Sequence, residues 1–112
     1  MQLLLLVLND VEMLTPLLET LMANNIRGAT ILNSTGMARE LCRNGEDYPI
    51  FGTLRYLMDP EREESRTVFM VLKDEQVPIA KKIIRDMLGG LKGPDTGVMF
   101  TLPVSSAEGI ED

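Results

Sequence analysis

Apolar residues run unbroken from Leu3 to Leu8 and stop at Asn9-Asp10. A run of this length, apolar on both faces and ended by a polar pair, predicts a buried strand, since an amphipathic helix interleaves polar positions. Beyond it Val11, Leu14, Leu17, Leu18, Leu21 and Met22 recur at helical spacing, forming one apolar stripe. Asn9 with Glu12 three residues on predicts a capping box, and Pro16 predicts irregular first turns. Asn24-Asn25 ends this helix, and Gly28 to Asn33 predicts a second strand. Thr67 to Leu72 is β-branched and apolar on both faces, a third strand. Asp74 is expected to cap a second helix with Pro78 in its first turn and the stripe Val77, Ala80, Ile83, Ile84, Met87 and Leu88. Gly89-Gly90 ends it, as glycine does at helix C-termini. Val98 to Leu102, closed by Pro103, predicts a fourth strand.

Two halves therefore read strand–helix–strand. They share wording at the first junction, Val7-Leu8-Asn9-Asp10 against Val71-Leu72-Lys73-Asp74, and a glycine opens each second strand, Gly28 and Gly97. A doubled βαβ in this order predicts an α+β, ferredoxin-like βαββαβ fold with an antiparallel four-stranded sheet. Two helices cover only one face of such a sheet. Strands one, three and four are nevertheless apolar at consecutive positions, where a half-wet sheet would alternate. An apolar second face predicts self-association, because soluble monomers do not expose patches of that size.

Between the second and third strands lies a long insertion, Thr35 to Arg66, where a hairpin connection takes only a few residues. Met37 to Cys42 predicts a helical turn. Ile50 to Met58 is apolar enough to dock on something, and Asp59 to Arg66 is a highly charged return whose Glu61, Glu63 and Glu64 read as solvated. Loops on a rigid scaffold are where function concentrates, and within this one Tyr48, Phe51, Arg55 and Tyr56 are candidates for contact with a partner protein.

At 112 residues the chain fits one domain, assigned to residues 1–104 with an acidic tail over 105–112. Aromatic residues make up 4% of it and Trp is absent, so the core must be aliphatic, with the eight methionines filling its gaps. A net charge of −6 with scattered Lys and Arg speaks against nucleic acid. The single cysteine, Cys42, fits a reducing compartment. The Leu3–Leu8 run is too short for a signal peptide and follows no basic residue, so the expected location is cytoplasmic, with no membrane insertion. No histidine is present to activate Cys42 or to join it in a metal site, so neither a catalytic residue nor a metal is assigned.

Ile26-Arg27-Gly28-Ala29-Thr30-Ile31 followed by Thr35-Gly36-Met37-Ala38-Arg39-Glu40 resembles the second strand and loop entry of nitrogen-regulatory P-II signalling proteins, an entry that commonly reads Gly-Phe-Gly-Arg-Gln in that family. Val71 to Asp74 and Gly97 to Val104 are similar to the family's closing half, and the likeness covers most of the chain apart from the middle of the insertion. The resemblance implies a homotrimer, clefts between subunits that bind adenine nucleotides, and a T-loop, here the insertion, that contacts a target protein. By match, Gly36 and Arg39 stand at the T-loop base, and Gly97 is the last glycine of the phosphate-binding B-loop. Lys92 and Gly93 belong to the same glycine-rich stretch, whose amides are suited to an anion.

The chain departs from the family at Ala38, Glu40, Asp95 and Val98, which replace a glycine, a glutamine, a glycine and a lysine, and its tail lacks the family's basic pair. ATP is accordingly expected to bind weakly or not at all, and another small anionic effector remains open. The sequence thus points to a PII-like regulatory trimer that senses a small effector and controls an unidentified protein target. The alternative is a structural or interaction oligomer with no small ligand.

Overall fold

A computed structural model describes residues 1–37, 40–41, 65–93 and 96–110. The chain forms β1 (Gln2–Leu8), a 3-10 turn (Val11–Met13) running into α1 (Leu14–Ala23), β2 (Ala29–Ser34) and β3 (Ser65–Leu72). A second 3-10 turn (Asp74–Gln76), α2 (Val77–Met87), a short turn (Gly89–Leu91) and β4 (Gly97–Pro103) follow. The sheet is antiparallel throughout, in the order β2-β3-β1-β4. Leaving β1, the chain passes through α1 and returns as β2 with β3 lying between. It leaves β3, passes through α2 and returns as β4 with β1 between. The two halves repeat even in detail, since each helix opens on a three-residue 3-10 turn and carries a proline in its first α-turn.

Alternate residues of the two central strands build the core. Leu4, Leu6 and Leu8 of β1 and Val68, Met70 and Leu72 of β3 pack against Leu17 and Leu21 of α1 and Val77, Ala80 and Ile84 of α2, with Ile26 and Leu88 closing the ends. The described core holds no aromatic residue, as the composition requires. Among the described residues the methionines fill it less than expected: Met70 alone is buried, Met13, Met87 and Met99 pack at its margin, and Met1, Met22 and Met37 are exposed. Met22 stands one position past Leu21, and a step of about 100° around a helix carries it off the stripe and into solvent.

The helix starts differ from the sequence expectation, while the stops at Asn24-Asn25 and Gly89-Gly90 agree with it. Asp10 makes no side-chain capping bond and α1 begins only at Leu14, so Pro16 falls at its third position, where a missing N–H breaks nothing. Asn25 at φ 64° closes α1, with the Ile26 N–H on the Leu21 carbonyl at 2.9 Å and the Asn25 N–H on Met22 at 3.1 Å, the paired bonds of a Schellman ending. Asp74 does not cap α2 either. The Gln76 side chain accepts the Lys73 N–H at 2.9 Å, and the Asp74 carboxylate accepts from the Met1 ammonium at 2.7 Å. β3 also begins earlier than expected, taking Ser65 and Arg66 out of the insertion.

Candidate functional site

The candidate residues converge on one end of the sheet. β1 ends there at Leu8, opposite Arg66 and Gly97, and β2 ends at Ser34, opposite Ser65. The segment joining α2 to β4 lies at this end. Gly89, Gly90 and Leu91 are all left-handed, at φ 61°, 74° and 61°, which reverses the chain after α2. The aliphatic stem of Lys92 lies over Gly90, where an added Cβ would stand 3.8 Å from it, and the ammonium makes no ion pair among the described residues. Thr96 donates its hydroxyl to the Gly93 carbonyl at 3.0 Å, while its own carbonyl accepts the Asn9 and Asp10 amides at 3.1 and 3.5 Å. The segment is thereby sewn to the turn after β1.

The two glycines at the ends of this region differ in kind. A Cβ on Gly97 would lie 2.7 Å from the Val7 carbonyl oxygen, so β4 approaches β1 too closely for any side chain. At Gly36 the same construction meets no atom within 4 Å, and glycine is not demanded by packing there. Past Gly36 the chain turns helically at Met37, with the Glu40 N–H on the Gly36 carbonyl at 2.9 Å. Arg39, Tyr48, Phe51, Arg55 and Tyr56 lie outside the described residues, as does most of the insertion.

Gly36 follows β2 and Lys92, Gly93 and Gly97 precede or open β4, so one chain sets them on opposite edges of the sheet with β3 and β1 between. Three strand spacings amount to about 14 Å. A single copy brings Lys92, Gly93 and Gly97 into one segment and leaves Gly36 apart from them.

The sheet face away from the helices forms the second feature. Across it run the rows Val98–Val7–Thr67–Leu32, Phe100–Leu5–Phe69–Thr30 and Leu102–Leu3–Val71. None of these side chains is charged, and nothing among the described residues covers them. Val98 is 57% exposed, Leu32 51%, and Phe100 and Leu102 45% each.

Toward the insertion this face turns polar, a feature that the sequence reading missed. Thr67 donates to the Ser34 hydroxyl at 2.8 Å, and Ser65, 7% exposed, donates to the Ser34 carbonyl at 3.2 Å. With the Ser65 proton so engaged, the 2.8 Å contact between Ser34 and Ser65 is a bond from Ser34. All three protons are spent within the trio, leaving no donor for an anion. Its signal in the sequence is hydroxyl residues on both sides of the insertion, legible only once the strand register is known.

Among the described residues no group of acidic, Cys or His side chains is placed to hold a metal ion, and no helix is long and apolar enough to cross a membrane. No family model and no curated protein matches the sequence. Among solved structures, the chain resembles a functionally unknown protein from Pediococcus pentosaceus ATCC 25745, with a TM-score of 0.62 and 18% identity over 96% of this chain and 94% of that one. The likeness extends to the small α+β fold with its four-stranded sheet.

Proposed function

We propose that the chain is a PII-like signal-transduction protein of ferredoxin-like fold, assembled as a cytoplasmic homotrimer. In this proposal a small anionic effector, such as a nucleotide, is sensed in the clefts between subunits, and a target protein is met through the segment after Gly36. One observation carries the effector site: Gly36 and the Lys92–Gly97 segment lie at the same end of the sheet but on opposite edges. Only a neighbouring copy can bring one against the other. The strand order β2-β3-β1-β4 supports the split βαβ arrangement, and the uncharged face supports assembly. Lys92 supplies an exposed cation beside Gly93, and the P-II resemblance adds Arg39 as a second candidate.

The structural-oligomer alternative draws on Gly97 and Val98. Gly97 has a sufficient steric reason in Val7, and Val98, where the family keeps lysine, is part of the apolar face. Thermal unfolding with adenine nucleotides and other phosphate-bearing metabolites separates the two. A ligand at a hundredfold excess over its Kd stabilises the folded state by about 2.7 kcal/mol, a shift absent from Lys92→Ala if this segment is the site. No response to any anion, in a protein that sediments as an oligomer, favours the alternative. A single-copy mass removes the clefts altogether.

A further inference from the structure

We propose that α2 carries a partner surface of its own, on which Lys82 and Arg85, flanked by Lys81 and Ile79, receive an acidic amphipathic helix of another protein. The surface needs neither the insertion nor a second copy of the chain.

The internal repeat supplies the comparison. Leu17 and Leu21 of α1 and Ala80 and Ile84 of α2 take the same buried places in the two halves. Counted from them, Leu18, Glu19 and Met22 stand where α2 has Lys81, Lys82 and Arg85. α1 has Glu19 as its single charged residue and packs its half of the sheet without a cation. The fold therefore does not require the three cations of α2. Lys81 and Arg85 are four residues apart and Lys82 and Arg85 three, so like charges adjoin on one flank, an arrangement that weakens a helix. Lys82 finds Asp86 at 2.7 Å, whereas Lys81 and Arg85 make no ion pair among the described residues. In the last turn Arg85 suits the carbonyl end of the helix, but Lys81 and Lys82 lie in its middle. In a chain of 17 acidic and 11 basic residues, this local excess of cations is matched by no charge of the fold itself.

The kind of anion follows from what the flank lacks. Nucleic-acid binding neutralises about 6–10 phosphates. Here three cations stand on a molecule of net charge −6, whose field turns a long polyanion away. A helix that lies on a membrane pairs its cations with a broad apolar face of Leu, Phe or Trp. α2 spends that face on the core, and Ile79, 46% exposed, is the one large apolar side chain it shows to water. A protein helix fits better. Carboxylates one turn apart stand about 6 Å apart along its axis, the spacing of Lys81 and Arg85, and a guanidinium takes a carboxylate by two parallel bonds. Ile79, three residues before Lys82, lies on the neighbouring strip of surface and meets an apolar side chain of the partner. The segment that fits has Glu or Asp at i and i+4 with a residue such as Leu on the same face.

The probe is a synthetic helical peptide of Glu and Leu in that pattern, titrated against the full chain at low salt by fluorescence anisotropy. An isomer of the same composition, with its Glu residues spread around the helix, serves as the control. The patterned peptide should bind, and the isomer should bind at least about tenfold more weakly, the loss of one charge-assisted bond. Lys82→Glu and Arg85→Glu should each weaken the patterned peptide by the same factor with circular dichroism unchanged, since both side chains are exposed. A peptide with Lys in place of Glu should bind the doubly substituted chain. Equal binding of the two isomers would mean general attraction to a polyanion and overturn the surface, as would no binding at all. Tighter binding to phosphatidylserine vesicles or duplex DNA, lost in the same variants, would give the flank to lipid or nucleic acid instead. Binding that survives both α2 variants but falls with Lys92→Ala or Arg55→Glu would move the peptide to the effector segment or the insertion and leave those readings standing. A drop in sedimenting mass in the α2 variants would make the flank a contact between copies and overturn its role for another protein.

Discussion

β1 presents Leu4, Leu6 and Leu8 to the helices and Leu3, Leu5 and Val7 to the other side. By composition the two faces are near twins, yet the first triplet is buried and the second is only half-buried. Intramolecular packing therefore accounts for half of the apolar residues that the central strand carries. The remainder has a physical purpose only if something outside the described fold covers it. The difference teaches where to look for function in this chain: in the apolar surface that folding leaves over.

Charge substitution breaks this comparison most sharply. Leu6→Arg places an unpaired cation in the core, a cost of several kcal/mol against a total stability of about 5–15 kcal/mol, and should yield no folded protein by circular dichroism. Leu5→Arg, one residue away, should keep the helical signal while the sedimenting species falls to one copy. Truncation comes next. Leu6→Ala should cost about 2–5 kcal/mol at every protein concentration, whereas the loss from Leu5→Ala should depend on concentration in urea titrations, because an interface is linked to mass action. Gly97→Ala should follow, with about 1–3 kcal/mol lost as its methyl pushes β4 off the Val7 carbonyl. Gly36→Ala, facing open space, should leave the unfolding midpoint unchanged. Thr67→Val is the smallest effect that remains measurable, at about 1 kcal/mol for one hydroxyl bond.

The strands and helices were legible because apolar runs and stripes mark them, and burial then alternates along β1 and β3 and follows most of each helical stripe. Leu17, Leu21, Ala80 and Ile84 lie in the core as their spacing requires. The helix N-caps were not legible, whereas the C-terminal stops at Asn25 and Gly89 were. Asn9-x-x-Glu12 has the composition of a capping box, but the chain enters α1 through a 3-10 turn, which places Asp10 rather than Asn9 at the cap position. Asp74 likewise meets the chain's own amino group, a partner distant in sequence. The candidate ligand residues were found on family likeness, and what likeness omits is where the sheet puts them: Gly36 and Gly97 on opposite edges is a fact of strand order. The hydroxyl trio needed the register as well, since Ser34 faces Ser65 only in one alignment of β2 with β3.

That trio also bears on what this fold can become. Ser34 and Ser65 hold the two ends of segment 35–64 together at 2.8 Å, whatever lies between them. Closing a chain loop costs little more as the loop grows, about 0.6 kcal/mol for each doubling of its length, which is less than one hydrogen bond contributes. Residues can thus be gained or lost beyond the fastening at almost no expense to the sheet. Lineages carrying this fold are free to lengthen, shorten or rewrite the segment while the scaffold beneath stays the same.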